Sequence, residues 1–199
     1  MKRFGASTDV NLRNTRGQNL LLWYLENTKA VDIKTLELIL RSGIHVDQTD
    51  TNNQNALHYA INNTTIPDHF SKILVNAGVS FEKVDLKGFN PLMLYAKSNR
   101  KLTYEMVSQL SRGMSLDKTN HESQKKALAV MNQTENEMGF NTLMLYLDNH
   151  QRLIQPEIVS FLRQSGTSLN YVTSSGQTAL KVYLANKLQL KILVSNLLG

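Results

Sequence analysis

Two stretches, Gly88-Phe-Asn-Pro-Leu-Met-Leu-Tyr-Ala96 and Gly139-Phe-Asn-Thr-Leu-Met-Leu-Tyr-Leu147, are near copies of one another, and that repetition decides the fold. Three further segments align with them: Gly17-Gln-Asn-Leu-Leu-Leu-Trp-Tyr-Leu25, Asn53-Gln-Asn-Ala-Leu-His-Tyr-Ala-Ile61 and Gly176-Gln-Thr-Ala-Leu-Lys-Val-Tyr-Leu184. Their starts lie 36, 35, 51 and 37 residues apart. A second marker, a glycine after an apolar run, falls at Gly43, Gly78, Gly113 and Gly166, spaced 35, 35 and 53. Both markers share one period and one lengthened interval, the signature of a repeat architecture.

Each unit reads as two helices and a loop. Asn19, Asn55, Asn90, Asn141 and Thr178 precede the apolar run, where a side-chain oxygen can accept from unsatisfied first-turn amides. Asn recurs where the run stops (Asn27, Asn62 and Asn63, Asn99, Asn149, Asn186), as expected of a residue that tolerates the left-handed conformation at a helix end. A second helix follows, opened by Pro67-Asp68 or Pro156-Glu157 and amphipathic at helical spacing, as in Ile33, Leu36, Leu40 or Ile154, Ile158, Phe161, Leu162. After the terminating glycine comes an extended stretch such as 79–84, turned by 50–53 or 85–88. One such unit cannot bury both faces of its helices, so the core must run between neighbours.

These residues resemble the ankyrin repeat, whose first helix carries a Thr-Pro-Leu-His-x-Ala core. Asn55-Ala-Leu-His58-Tyr-Ala60 and Asn90-Pro91-Leu92 match it best, and the similarity runs from about Leu12 to Leu198. The small residue of the family's packing position appears as Ala60 only; elsewhere it is Tyr24, Tyr95, Tyr146 and Tyr183. That tyrosine series, with extra residues between the helices, is similar to the divergent ankyrin repeats of poxvirus proteins. The resemblance implies an all-α solenoid of about five helix-turn-helix repeats with short finger loops. As one domain over 1–199, its repeats fall at about 14–47, 50–84, 85–117, 136–171 and 173–199, with an insertion at about 118–135. The insertion holds Ala127, Leu128, Val130 and Met131 in polar surroundings, enough for a short helix or half-repeat, and fits a hinge between three-repeat and two-repeat blocks or a binding excursion.

Bulk composition constrains function. The chain has 199 residues, 41% of them hydrophobic, with a formal charge of +6 and no cysteine. Disulfides, thiolate catalysis and cysteine-bound zinc are therefore excluded. Lys2-Arg3 is followed by no apolar run and no stretch approaches a membrane span, so a soluble, cytoplasmic, non-secreted protein is expected. Basic residues are scattered, which favours a mixed solvated surface over a nucleic-acid footprint.

No residue set points to chemistry, so no enzyme, cofactor or metal is expected. His58 sits at the ankyrin-like histidine position, where it ties the loop to the helix start, and no nucleophile or orienting acid accompanies it in sequence. His45 with Asp47 and Asp50 reads as a polar turn. The tyrosines read as large core filler whose hydroxyls reach the surface or a backbone partner.

By analogy with the ankyrin repeat, the residue after the loop glycine points into a concave groove. It is polar at Gln18, Gln54 and Gln177 but aromatic at Phe89 and Phe140. Phe89, Phe140, Met138, Lys87, Gln54 and Arg16 are thus the candidate partner-binding residues, with the two phenylalanines as exposed anchors.

The resemblance implies a non-catalytic scaffold binding a host protein. A ubiquitin-ligase component would enter only through a longer form, since no F-box-like segment is found here. Two alternatives stand beside it: a fragmentary remnant without activity, and a basic nucleic-acid binder.

Overall fold

A computed structural model describes residues 9–63, 66–67, 69–98, 125, 128–149 and 154–187. The chain divides into two compact units, Met1–Ser80 and Phe81–Gly199. The lengthened interval suggested a division after the third repeat; it falls between the second and third.

The first unit contains α1 (Leu20–Asn27), α2 (Ile33–Arg41), α3 (Ala56–Asn62) and α4 (His69–Asn76). Helix α1 packs on α2 and on α3, and α3 packs on α4. The second contains α5 (Pro91–Lys97), α6 (Thr142–Asp148) and α7 (Pro156–Gln164), with residues 128–131 and 179–187 also helical. Here α5 packs on α6 and α6 on α7. No strand occurs among the described residues; two isolated bridges, Thr134 to Asn141 and Val172 to Thr178, bracket turns.

The cap asparagines act at both ends of their amide. Asn19, Asn90 and Asn141 accept from the N–H of Leu22 (3.1 Å), Met93 (2.9 Å) and Met144 (3.0 Å), starting α1, α5 and α6. The Nδ2 of the same side chains donates to a carbonyl of the descending chain: His45 from Asn19, Val130 from Asn90, Ser168 from Asn141. Asn55 does both jobs too, to His58 and Ser80, and is fully buried. His58 completes a capping box by accepting from the Asn55 N–H, the structural role read from the sequence.

Residues 128–131 form a short helix of the kind expected in the insertion. Its Val130 carbonyl accepts from Asn90 as His45, Ser80 and Ser168 accept from the other cap asparagines, so the C-terminal end of the insertion takes the place of the descending segment. The surplus residues lie between Ser98 and Leu128, where only Lys125 is described.

Inner helices do not end as expected. Asn63 and Asn149 have φ of −83° and −75°, outside the left-handed region. Their side chains reach back instead, Asn63 donating to Leu25 and Thr28 carbonyls and Asn149 to those of Lys97 and Ser98. Asn186 does the same to Leu147. These bonds satisfy helix-end carbonyls of the preceding repeat and lock successive inner helices in register. Asn99 lies outside the described residues. The second helices end on Gly78 and Gly166 with φ of +96° and +98°, closed by Val79 to Leu74 and Thr167 to Leu162 bonds. Gly113 lies outside the described residues.

Two of the tyrosines position the second helix. The Tyr24 hydroxyl accepts from the Asp32 N–H at 3.0 Å, and Tyr146 from the Gln155 N–H at 2.8 Å. Asp32 and Gln155 are the residues immediately before α2 and α7. A phenol at this repeat position thus fixes where the next helix starts.

Candidate protein-binding surface

Between the descending chain and the next inner helix stands a turn, and its construction is the same five times. Its first residue is Asn14, Asp50, Asp85, Glu135 or Thr173. In each, that residue's N–H donates to the carbonyl of the residue closing the turn (Gln18, Gln54, Phe89, Phe140, Gln177). Its side-chain oxygen accepts the N–H of that same closing residue. Asp50, Asp85, Glu135 and Thr173 are buried beneath their turns. Just before the closing residue the backbone turns left-handed, with φ of +76° at Gly17, +84° at Gly88, +71° at Gly139, +76° at Gly176 and +61° at Asn53. The Glu135 turn is one residue longer than the Asp85 turn, and its carboxylate stands on one more methylene.

One pair of successive turns is joined in each unit. The Thr51 N–H donates to the Arg16 carbonyl and the Asn136 N–H to that of Lys87, both at 2.9 Å. This contact leaves no space at Gly88, where a Cβ would lie 2.9 Å from the Asn136 nitrogen and from the Glu135 Cα.

What the turns present differs in every case. The tips are Thr15-Arg16, Thr51-Asn52, Leu86-Lys87, Asn136-Glu137-Met138 and Ser174-Ser175, all exposed. Five similarly braced frames therefore display five different sets of side chains, an arrangement suited to recognition by a scaffold.

Phe89 and Phe140 are not exposed anchors. They are 4% and 5% exposed, their side chains tucked beneath the turn, whereas Gln54 and Gln177, with the same backbone pairing, are only half-buried. Gln18, the equivalent used as a polar comparison, is itself buried at 2%. The Lys97 ammonium lies 4.6 Å from the Phe89 ring centroid, covering it from the solvent side. Lys87 and Met138 are exposed at turn tips in the second unit.

Arg16 and Gln54 come together in the first unit. They line a polar cleft of about 400 Å³ with Glu26, Asp50, Tyr59 and Asn62. Arg16 grips Glu26 with two bonds, 2.7 Å from Nη1 and 2.5 Å from Nη2. That bond holds the Glu26 carboxyl below the usual carboxylate range. At the floor the Tyr59 hydroxyl donates to Asp50 Oδ2 (2.9 Å) and accepts from Gln18 Nε2 (2.8 Å), while Gln18 also donates to Glu26. Burial, ahead of the Asp50 contact, pushes the Tyr59 phenol up to about 12.

Glu26 and Tyr59 did not stand out in the sequence, and Asp50, expected there as an exposed member of a polar turn with His45 and Asp47, is buried. The signal was a fixed offset: Gln18 and Glu26 are eight residues apart, as are Phe89 and Lys97, and both pairs touch. Among the described residues no three His, Cys, Asp or Glu side chains converge as a metal site would require, and no helix is long and apolar enough to cross a membrane.

No family model matches this sequence, and no curated protein matches it. Among solved structures it is similar to a chain of the structure titled "Bd0816 Predatory Endopeptidase from Bdellovibrio bacteriovorus in complex with immunity protein Bd3460". The match has a TM-score of 0.64 at 18% identity and covers 92% of this chain and 82% of that one. At that identity the likeness shows a shared helical fold and nothing of activity.

Proposed function

We propose that this chain is an ankyrin-repeat protein of the poxvirus type, a non-catalytic scaffold in the host cytoplasm that holds a host protein against its turn tips. One observation carries the reading: similarly braced turns present tips that differ at every repeat, from Thr15-Arg16 to Ser174-Ser175. Selection for a fold alone would not require the exposed tips to diverge while the buried turn residues keep their role. The sequence match to ankyrin cores at 55–60 and 90–92 supports the family assignment. The tyrosine series supports the viral branch. The similar solved chain comes from a complex between two proteins, which agrees with a protein-binding role.

Binding centres on Arg16 and Gln54 in the first unit and on Lys87 and Met138 in the second. Phe89 and Phe140 support the turns from beneath. The test is affinity capture from host-cell lysate with wild-type chain, Arg16→Ala/Gln54→Ala and Lys87→Ala/Met138→Ala as baits. The expected result is loss of one specific partner with at least one double variant while circular dichroism stays unchanged. Undiminished capture by both would remove the turn tips from the site.

A further inference from the structure

Two register positions meet at the rim of the first repeat: the residue before the left-handed turn residue, and the residue eight after the one that closes the turn. They are Arg16 and Glu26, and they neutralise each other through bonds of 2.7 and 2.5 Å. The same two positions are the neutral Asn52 and Asn62 in the second repeat and Ser175 and Ala185 in the fifth. In the third they are Lys87 and Lys97, and both are cations.

Both lysines are exposed. Lys97 is held on its own repeat, its ammonium 4.6 Å from the ring centroid of Phe89, which lies two residues from Lys87. Neither lysine has a carboxylate at ion-pair distance among the described residues, whose ion pairs are Arg16 with Glu26 and Arg41 with Glu37 in the first unit. Two cations at positions that an ion pair occupies elsewhere repel one another. An anion seated between them turns that repulsion into attraction.

The fourth repeat bears the opposite sign. Its residue eight after the turn closes is Asp148 and its turn tip carries Glu137, neither of them in an ion pair among the described residues. Helix α6, which ends on Asp148, packs directly on α5, which ends on Lys97. Packed helices lie about 8–10 Å apart, so the cationic and anionic rows are separated by roughly three residues of extended chain at about 3.3 Å each. Leu86 and Met138, 66% and 41% exposed, add apolar surface at the same two turn tips.

We infer that Lys87 and Lys97 receive an Asp or Glu of an extended segment of the partner protein, whose Lys or Arg about three residues along meets Asp148 and Glu137. A nucleic-acid strand does not fit, since its phosphates would meet the two carboxylates one repeat on. The inference rests on the scaffold reading above and names the chemistry of what the second unit grips.

The test is selection of phage-displayed random peptides of about twelve residues on the full chain and on Lys87→Glu/Lys97→Glu. The wild type should enrich sequences with an acidic and a basic residue about three apart, and the variant should enrich sequences basic at both places. Asp148→Lys should keep the acidic preference and lose the basic one. A synthetic peptide of the enriched sequence should bind Lys87→Gln/Lys97→Gln about ten-fold more weakly, with circular dichroism unchanged, which keeps the test decisive if the glutamate variant fails to fold. Enrichment on the wild type without an acidic position overturns the inference, as does enrichment of purely acidic peptides, the same enrichment on the charge-reversed variant, or no enrichment at all. None of these outcomes touches the scaffold reading, which fails separately if the wild-type chain captures no specific host protein.

Discussion

The turn-closing position is built in two ways. In the first unit Gln18 is buried in a polar network with Glu26 and Tyr59, and Gln54 lines the cleft beside it. In the second unit Phe89 and Phe140 fill the same place as apolar plugs, Phe89 roofed by Lys97. The backbone frame is common to both, so turn geometry does not depend on what lies beneath it. What changes is the surroundings: the polar version opens a cleft at the surface, and the apolar version adds to the core. A surface cavity and added core are thus alternatives at one fixed register position.

Exchanging residues between the units tests this. The largest effect is expected from Phe89→Gln or Phe140→Gln, which loses a buried ring and leaves an amide without the partners Gln18 has. A loss of about 3–5 kcal/mol, read as a lower urea midpoint, should follow. Phe89→Leu, nearly apolar-conserving, should recover more than half; equal losses for Gln and Leu would refute the plug.

Next comes Gly88→Asn, which carries the first unit's Asn53 into the second. Asn tolerates the left-handed φ, but its Cβ meets the Asn136 nitrogen and Glu135 Cα at 2.9 Å, and about 2–3 kcal/mol should be lost. The reverse exchange, Asn53→Gly, should cost under about 0.5 kcal/mol. Similar costs in both directions would mean that turn-to-turn contact is not tight.

Tyr59→Phe removes a buried hydroxyl with two partners and should cost about 1–2 kcal/mol. It also changes the alkaline limb. The folded phenol keeps its proton to about 12 while an unfolded tyrosine releases it near 10, so unfolding is favoured as pH rises between these values. Wild type should lose stability over that range and Tyr59→Phe should lose less.

The smallest effect belongs to Glu26→Gln. Because the folded carboxyl is held low by Arg16, its contribution is present above the unfolded value near 4.3 and is lost as pH falls through the folded one. The variant should flatten that acid limb slightly, and about 0.5 M salt should erase the difference, since the pair is solvent-exposed.

The repeat register was legible because hydrophobic spacing, caps and glycines obey one period. Each cap Asn and each left-handed turn residue, including Asn53, stands where the alignment put it. The direction of the turn-closing side chain was not legible. Gln18 reads as a surface residue by type, and only its hydrogen bonds to Glu26 and Tyr59, 41 residues away in the latter case, show that it is buried. Treating it as exposed made Phe89 and Phe140 look like anchors. The asparagines at helix ends depart from expectation for a related reason. Asn63 and Asn149 suit a left-handed stop by type, but their amides are used 35 to 52 residues back along the chain, a distance that no local pattern records.

The Glu135 turn has a further consequence. Its extra residue and its extra methylene offset each other, so the backbone enters and leaves at the same bridge-bracketed points, and α6 still meets α5. The side chain works as an adjustable strut whose length absorbs an insertion. A chain carrying such a strut can lengthen an exposed turn without disturbing the spacing of the helices behind it.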